Sequence, residues 1–315
     1  GSMTVSRRSL AAVALVGTLA LSGCSAGSTS AGSASGEPVS VVTAFYPLQF
    51  VVEKVGGDRV RATSLTAPGT EPHDLELTPQ QVASVSDASL VVYLAGFQPA
   101  VDDAVAQESR NALDAGTGIA RLAATASQVE EATSDGGTAP VTDPHVWLDP
   151  VLAGKVVEKI HAALAAADAG DAAEFDTNAS AYLSSLAELD GEYRKGLSAC
   201  ASHRVVASHD ALGYMAKEYG LDVVPISGLS PDEEPSPARM AEIAALARSA
   251  GAKYIFTEAL VSPKLAQAIA EEVGAKTLVF DPLEGLTAQD AESGRTYLSV
   301  MRDNLSHLRT ALSCK

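Results

Sequence analysis

The sequence predicts an α/β protein of two similar lobes, each with a mainly parallel, roughly four-stranded sheet flanked by helices, joined by a long linker helix. Three observations carry this reading. Short β-rich runs alternate with helical patterns along the chain after residue 38. The two halves echo each other without a gap at one fixed shift of 163 positions, the distance from Glu71-Pro72 to Glu234-Pro235. Between them lies a long stretch rich in Ala, Leu, Glu and Tyr, with few helix breakers. A chain of 315 residues is long enough for two domains of ordinary size.

Taken in order, the first half offers strands at 39–44, 62–65 and 90–94, and a weaker one at 118–122. Helical patterns at 79–85 and 100–106 separate them. The second half offers strands at 205–207, 223–226, 254–257 and 277–280, with helices at 237–249 and 263–273. Residues 151–167 are helical in pattern, and 173–197 read as one helix on the order of 38 Å long at 1.5 Å per residue. The stretch 128–140, acidic with Ser, Thr and Gly-Gly, has the composition of a loop.

The first residues read as a targeting segment. Gly1 and Ser2 precede Met3 and read as an added dipeptide; Arg7 and Arg8 supply a short positive region. An apolar run at 10–21, broken at Gly17 and Thr18, closes on Leu21-Ser22-Gly23-Cys24. A stretch this short with these flanks is a secretory signal rather than a transmembrane helix. Its last four residues resemble a lipobox, in which Cys24 becomes the lipidated first residue. Ser, Gly, Ala and Thr then dominate as far as residue 38, the composition of a flexible tether. The expected organisation is therefore 1–23 added dipeptide and signal peptide, 24–38 lipidated tether, 39–172 N-terminal lobe, 173–198 linker helix and 199–315 C-terminal lobe. The protein is expected to be exported and anchored by lipid to the outer face of the cytoplasmic membrane.

Charge and cysteines narrow the partners. Arg7 and Arg8 are the charges within 1–23, so the formal net charge of −17 becomes −19 once they are removed. Binding nucleic acid needs clustered Lys and Arg, and this balance argues against it. With Cys24 lipidated, Cys200 and Cys314 remain in an oxidising setting, and they are expected to pair and tie the C-terminal end back onto the second lobe. The alternative is two free thiols.

Six histidines are present, in unlike contexts. His161, His203 and His307 read as surface or packing residues. His73, His145 and His209 each sit in a Pro-marked loop or at a strand-to-helix turn, where ligands collect in α/β folds. Asp281 has the same placement, after the strand at 277–280 and before Pro282. His73 to His145 is 72 residues, and so is His209 to Asp281, which would give each lobe two ligands facing a shared cleft. Three imidazoles and a carboxylate suit zinc, although imidazole also suits other late first-row metals.

From about residue 39 onward the chain resembles the zinc/manganese solute-binding lipoproteins of bacterial ABC importers. The matching stretches are 69–74, 143–150, 208–214, 228–237 and 280–282; Pro-His-Val-Trp-Leu-Asp-Pro and Ser-His-Asp-Ala-Leu-Gly-Tyr are the most specific. The resemblance implies a site of His73, His145, His209 and Asp281 between the lobes, and a cargo of Zn2+ in preference to Mn2+, because the third position is His rather than Glu. It also implies capture outside the cytoplasm and delivery to an ABC permease by a binding protein rather than an enzyme; a monomer is expected, in contact with the membrane through the lipid on Cys24 alone. One departure is that 128–140 contains no histidine, where many zinc-specific relatives carry a histidine-rich loop.

Asp74, Asp210 and Glu258 are expected to orient ligating imidazoles; Asp149, before Pro150, reads equally as a helix N-cap. A zinc hydrolase is the competing chemistry. It lacks support, because no His-Glu-x-x-His stretch, Gly-x-Ser-x-Gly elbow or phosphate-cradling Gly loop occurs. A third reading is a surface adhesin whose metal is structural.

Overall fold

Val39–Thr43 bury four of their five side chains, the pattern of a strand covered on both faces. In the computed structural model, which describes residues 36–123, 142–232 and 234–315, they form β1, an inner strand of a four-stranded sheet. Its order is β2-β1-β3-β4, where β2 is Val60–Ser64, β3 is Leu90–Tyr93 and β4 is Ala112–Asp114, and every neighbouring pair is parallel. Parallel neighbours need crossovers, here α1 (Tyr46–Gly56), α2 (Pro79–Asp87) and α3 (Pro99–Glu108), each with Pro in its first turn. Thr78 and Gln81 cap α2 reciprocally. Gln81 Nε2 also donates to Leu65 O at 2.7 Å, which pins the loop between β2 and α2 at both ends.

A single helical turn at Val146–Leu148 leads into α4 (Pro150–Ala167), and α5 (Ala172–Leu197) follows. The 26 residues of α5 bury Phe175, Ala179, Tyr182, Leu186, Leu189, Tyr193 and Leu197, a stripe with helical spacing. That stripe packs on α4 and α1.

Beyond it the chain repeats the alternation. The strands are β5 (Arg204–Ala207), β6 (Asp222–Pro225), β7 (Tyr254–Thr257) and β8 (Lys276–Val279); α6 (Gly213–Tyr219), α7 (Pro237–Ser249) and α8 (Lys264–Val273) lie between them. β5 pairs with β6 and β7 with β8, both in parallel, and β5 lies alongside β7. These are two two-stranded sheets, not the roughly four-stranded sheet expected of the second half, because β5 and β7 lie side by side without pairing. The shift of 163 that aligns the two halves of the sequence carries β2, β3 and β4 onto the positions of β6, β7 and β8 to within two residues. Two more helices, α9 (Ala288–Glu292) and α10 (Tyr297–Ala311), complete the described chain, and α10 packs on α5 and β8. One large core runs from Val39 to Leu312; a smaller one around Ile243, Ile255 and Ile269 fills the space between α7, α8 and their strands.

Cys200 and Cys314 form a disulfide, as expected, and it ties the residues after α10 to the end of α5. One expected strand is absent: residues 118–122 are irregular, and β4 at Ala112–Asp114 takes that place in the sheet. The Asp114 carboxylate accepts from Gly116 N–H at 2.9 Å and from the Thr117 hydroxyl at 3.1 Å, and Gly118 has a φ of 75°, so the chain turns here. Three residues were too few for β4 to show alternation in sequence. Cys24, the tether to residue 35 and the stretch 128–140 lie outside the described residues. No helix among the described residues is long and apolar enough to cross a membrane.

Candidate metal centre

Each of the three singled-out histidines hangs from a different fixed segment. His73 lies in the pinned loop before α2, and its backbone N–H donates to both oxygens of Glu71, at 3.1 and 3.0 Å. His145 enters the single turn at Val146–Leu148. Asp143 Oδ1 accepts from its backbone N–H at 2.9 Å and lies 2.8 Å from its ring Nδ1. His209 follows β5, and Glu258, just past β7, places Oε1 2.6 Å from its Nδ1. A neutral imidazole that donates through Nδ1 must present a lone pair at Nε2. For His145 and His209 the carboxylates therefore select both tautomer and direction.

Those Nε2 atoms converge with that of His73 on one carboxylate oxygen. Glu284 Oε1 is 3.1 Å from His73 Nε2 and 3.0 Å from each of His145 and His209 Nε2, and the last two nitrogens are 3.4 Å apart. A tetrahedral zinc site with bonds near 2.0–2.1 Å has donor–donor edges of about 3.3 Å. All four residues are buried, with His145 and His209 fully enclosed. Phe97 packs its ring edge-on to His73 at 4.7 Å between centroids, and Trp147 lies 5.2 Å from the His145 ring, so one wall of the centre is aromatic.

Asp281, the fourth expected ligand, does not belong to this group. Its Oδ1 accepts from Leu283 N–H at 2.8 Å, closing a turn that brings Glu284, three residues on, to the histidines. The equal spacing of 72 residues pointed to this loop, where the oxygen that reaches the three imidazoles is that of Glu284. Of the residues expected to orient imidazoles, Glu258 is in contact with His209. Asp210 donates its backbone N–H to Gly228 O at 2.8 Å and is not among the four clustered donors. Asp74 is exposed and falls in a separate acidic group with Glu71 and Asp232. Asp149 is a helix N-cap: its Oδ1 accepts from Val151 N–H at 2.8 Å at the start of α4. Asp143 went unrecognised as an imidazole partner, although the Asp-Pro-His sequence places it two residues before His145.

Electrostatics follow from enclosing cations and anions together. Burial lowers the basicity of His73 below the ordinary imidazole value, with Glu284 opposing. Burial acts the same way on His209, but the Glu258 and Glu284 carboxylates outweigh it and raise His209 well above that value. His145 is raised too, its burial overcome by Asp143 and Glu284. Glu284 is held well below the usual carboxylate range because His209 and His73 overcome its own burial. Asp281 lacks such cationic help, and burial pushes it up to about 7.

A buried cluster of three imidazoles and one carboxylate can hold a borderline divalent ion without help from solvent. The profile of the periplasmic zinc-uptake complex component A family, ZnuA, matches residues 41–311. The chain belongs to the ZnuA family. Among curated relatives of the family, the high-affinity zinc uptake system protein ZnuA of Bacillus subtilis is 35% identical over 94% of this chain and 95% of its own length. The zinc-binding lipoprotein AdcA of Streptococcus pneumoniae is 38% identical over 86% of this chain, which spans 55% of that longer protein. Among solved structures, the Zn(II)-bound ZnuA-like domain of S. pneumoniae AdcA superposes with a TM-score of 0.74 at 36% identity, over 87% of this chain and 99% of that one. The laminin-binding adhesin Lmb of Streptococcus agalactiae gives 0.77 at 32% identity, over 87% and 99%.

Proposed function

We propose that this protein captures a divalent transition metal, zinc before manganese, outside the cytoplasm and delivers it to the permease of an ABC importer, with His73, His145, His209 and Glu284 as the ligands. The observation that carries the reading is the convergence of three Nε2 atoms on Glu284 Oε1 at 3.0–3.1 Å in a buried site. Family membership and the zinc-uptake names of the relatives point the same way. Four protein donors complete a tetrahedron and leave no position for a reactive water, so the centre suits holding an ion rather than hydrolysis. One carboxylate among three imidazoles also favours zinc over the harder manganese ion.

The finer architecture belongs to the same proposal. Residues 39–172 and 199–315 act as two lobes of similar topology, residues 173–198 as the linking helix, and the metal lies between the lobes. Supporting this are the repeated alternation of parallel strands and helices, the length of α5, and two clustered donors from each half of the chain. A lipid on Cys24 holds the protein, as a monomer, at the outer face of the membrane; the lipoprotein name of AdcA supports that placement. Release follows when the permease draws on the ligands of one lobe.

The experiment is metal analysis of protein purified without added metal, followed by zinc titration against a competing chelator. One zinc per chain is expected. A stoichiometry far below one after zinc loading would overturn the assignment, and manganese as the retained ion would overturn the choice of metal.

A further inference from the structure

Glu284 reaches the histidines from an unusual piece of backbone. Leu283, the residue before it, is fully buried with a φ of 56°, a left-handed conformation that a branched side chain adopts at a cost. Such a conformation persists where its surroundings over-determine it. Three contacts do so. The Asp281 carboxylate accepts from Leu283 N–H. Trp147 Nε1–H donates to Pro282 O at 2.8 Å. Asn304, 2% exposed on α10, uses both ends of its amide on Asp281: Oδ1 accepts from the Asp281 N–H at 2.9 Å and Nδ2 donates to the Asp281 carbonyl at 2.7 Å.

The last pair is what a neighbouring strand would offer. β8 ends at Val279, and Asp281 follows with both backbone groups buried and in need of partners. The Asn304 amide supplies one acceptor and one donor in a fixed plane, so it pairs the chain for one more residue past the strand. The turn through Leu283 starts from that clamped point.

We infer that Asn304 is a positioning residue for the fourth metal ligand: its amide clamps Asp281 so that the strained turn at Leu283 delivers Glu284 Oε1 to the three imidazoles. The inference rests on the proposed metal site. Both hydrogen bonds of the Asn304 amide go to Asp281, so its effect passes through three residues of backbone.

The test uses the full chain loaded with Zn2+, and separately with Co2+, whose visible d–d bands report ligand type and geometry. Asn304→Ala removes both hydrogen bonds. Asn304→Asp keeps the size and the acceptor but puts an oxygen where the donor stood, and it serves if the alanine variant does not fold. Both are expected to weaken zinc about 10- to 100-fold, as loss of an outer partner does, and to shift the Co2+ bands toward those of Glu284→Ala. Wild-type zinc affinity and bands in Asn304→Asp, or a fall in melting temperature alone in either variant, would overturn the inference and leave Asn304 a packing residue. If Glu284→Ala itself binds zinc as the wild type does, the ligand assignment fails instead.

Discussion

Glu284 Oε1 stands 3.0 Å from His209 Nε2, across 75 residues of chain, and both side chains are almost wholly enclosed. Glu284 also contacts His73 and His145 through the same oxygen, so removing it affects every other donor at once. Glu284→Ala is expected to weaken zinc by more than the roughly 10- to 100-fold typical of an outer partner, and Asp281→Asn by less than Glu284→Ala. Competition titration of the two variants side by side decides it; a larger loss for Asp281→Asn would return the ligand role to Asp281.

Histidine substitutions separate the centre from the surface. His209→Ala removes a fully buried donor, whereas His161 sits partly exposed at 2.6 Å from Asp176, an exposed carboxylate. Zinc binding is expected to collapse in the first variant and to be unchanged in the second. Equal affinities would mean that His209 does not bind the ion.

The carboxylates behind the imidazoles should matter without touching metal. Asp143→Asn and Glu258→Gln leave a neutral amide against Nδ1 of His145 and His209 respectively, weakening the hold on tautomer and ring direction. Each is expected to lower zinc affinity about 10- to 100-fold with one zinc still bound per chain. A change in stoichiometry would instead mark the residue as a ligand.

Protons and metal compete for the same nitrogens. His209 is raised well above the ordinary imidazole value, because Glu258 and Glu284 outweigh its burial. Below that raised value the metal-free protein carries a proton which zinc must expel, so apparent affinity climbs with pH until His209 titrates and then levels. Below that raised value binding should release a proton. Calorimetry in buffers of different ionisation heat measures the release, and identical heats in all buffers would contradict it.

The Cys200–Cys314 bond closes a loop with a sequence separation of 114. Its reduction, or Cys200→Ser with Cys314→Ser, is expected to cost about 2–5 kcal/mol of folding stability. Urea unfolding with and without reductant provides the measurement, while zinc affinity of the folded protein should hold.

Much of this was legible in the residues, for identifiable reasons. The inner strands announce themselves because burial on both faces demands apolar runs such as Leu90–Tyr93. His73, His145 and His209 stand out because Pro or a strand end marks each turn. Glu284 does not: its position depends on the left-handed Leu283, and no local pattern signals that a Leu will turn that way. Asp143 is hidden for a different reason, since an Asp before Pro reads first as a turn residue. β4, at three residues, has too little length for any period to show.

The span between His73 and Glu284 is 211 residues, and His145 and His209 lie within it. An ion seated on all four side chains is therefore a reversible crosslink that closes long loops, removing conformational freedom that only the unfolded chain possesses. Cargo status is then a mechanical property: the loaded chain resists unfolding and proteolysis, and each delivery returns it to a softer molecule.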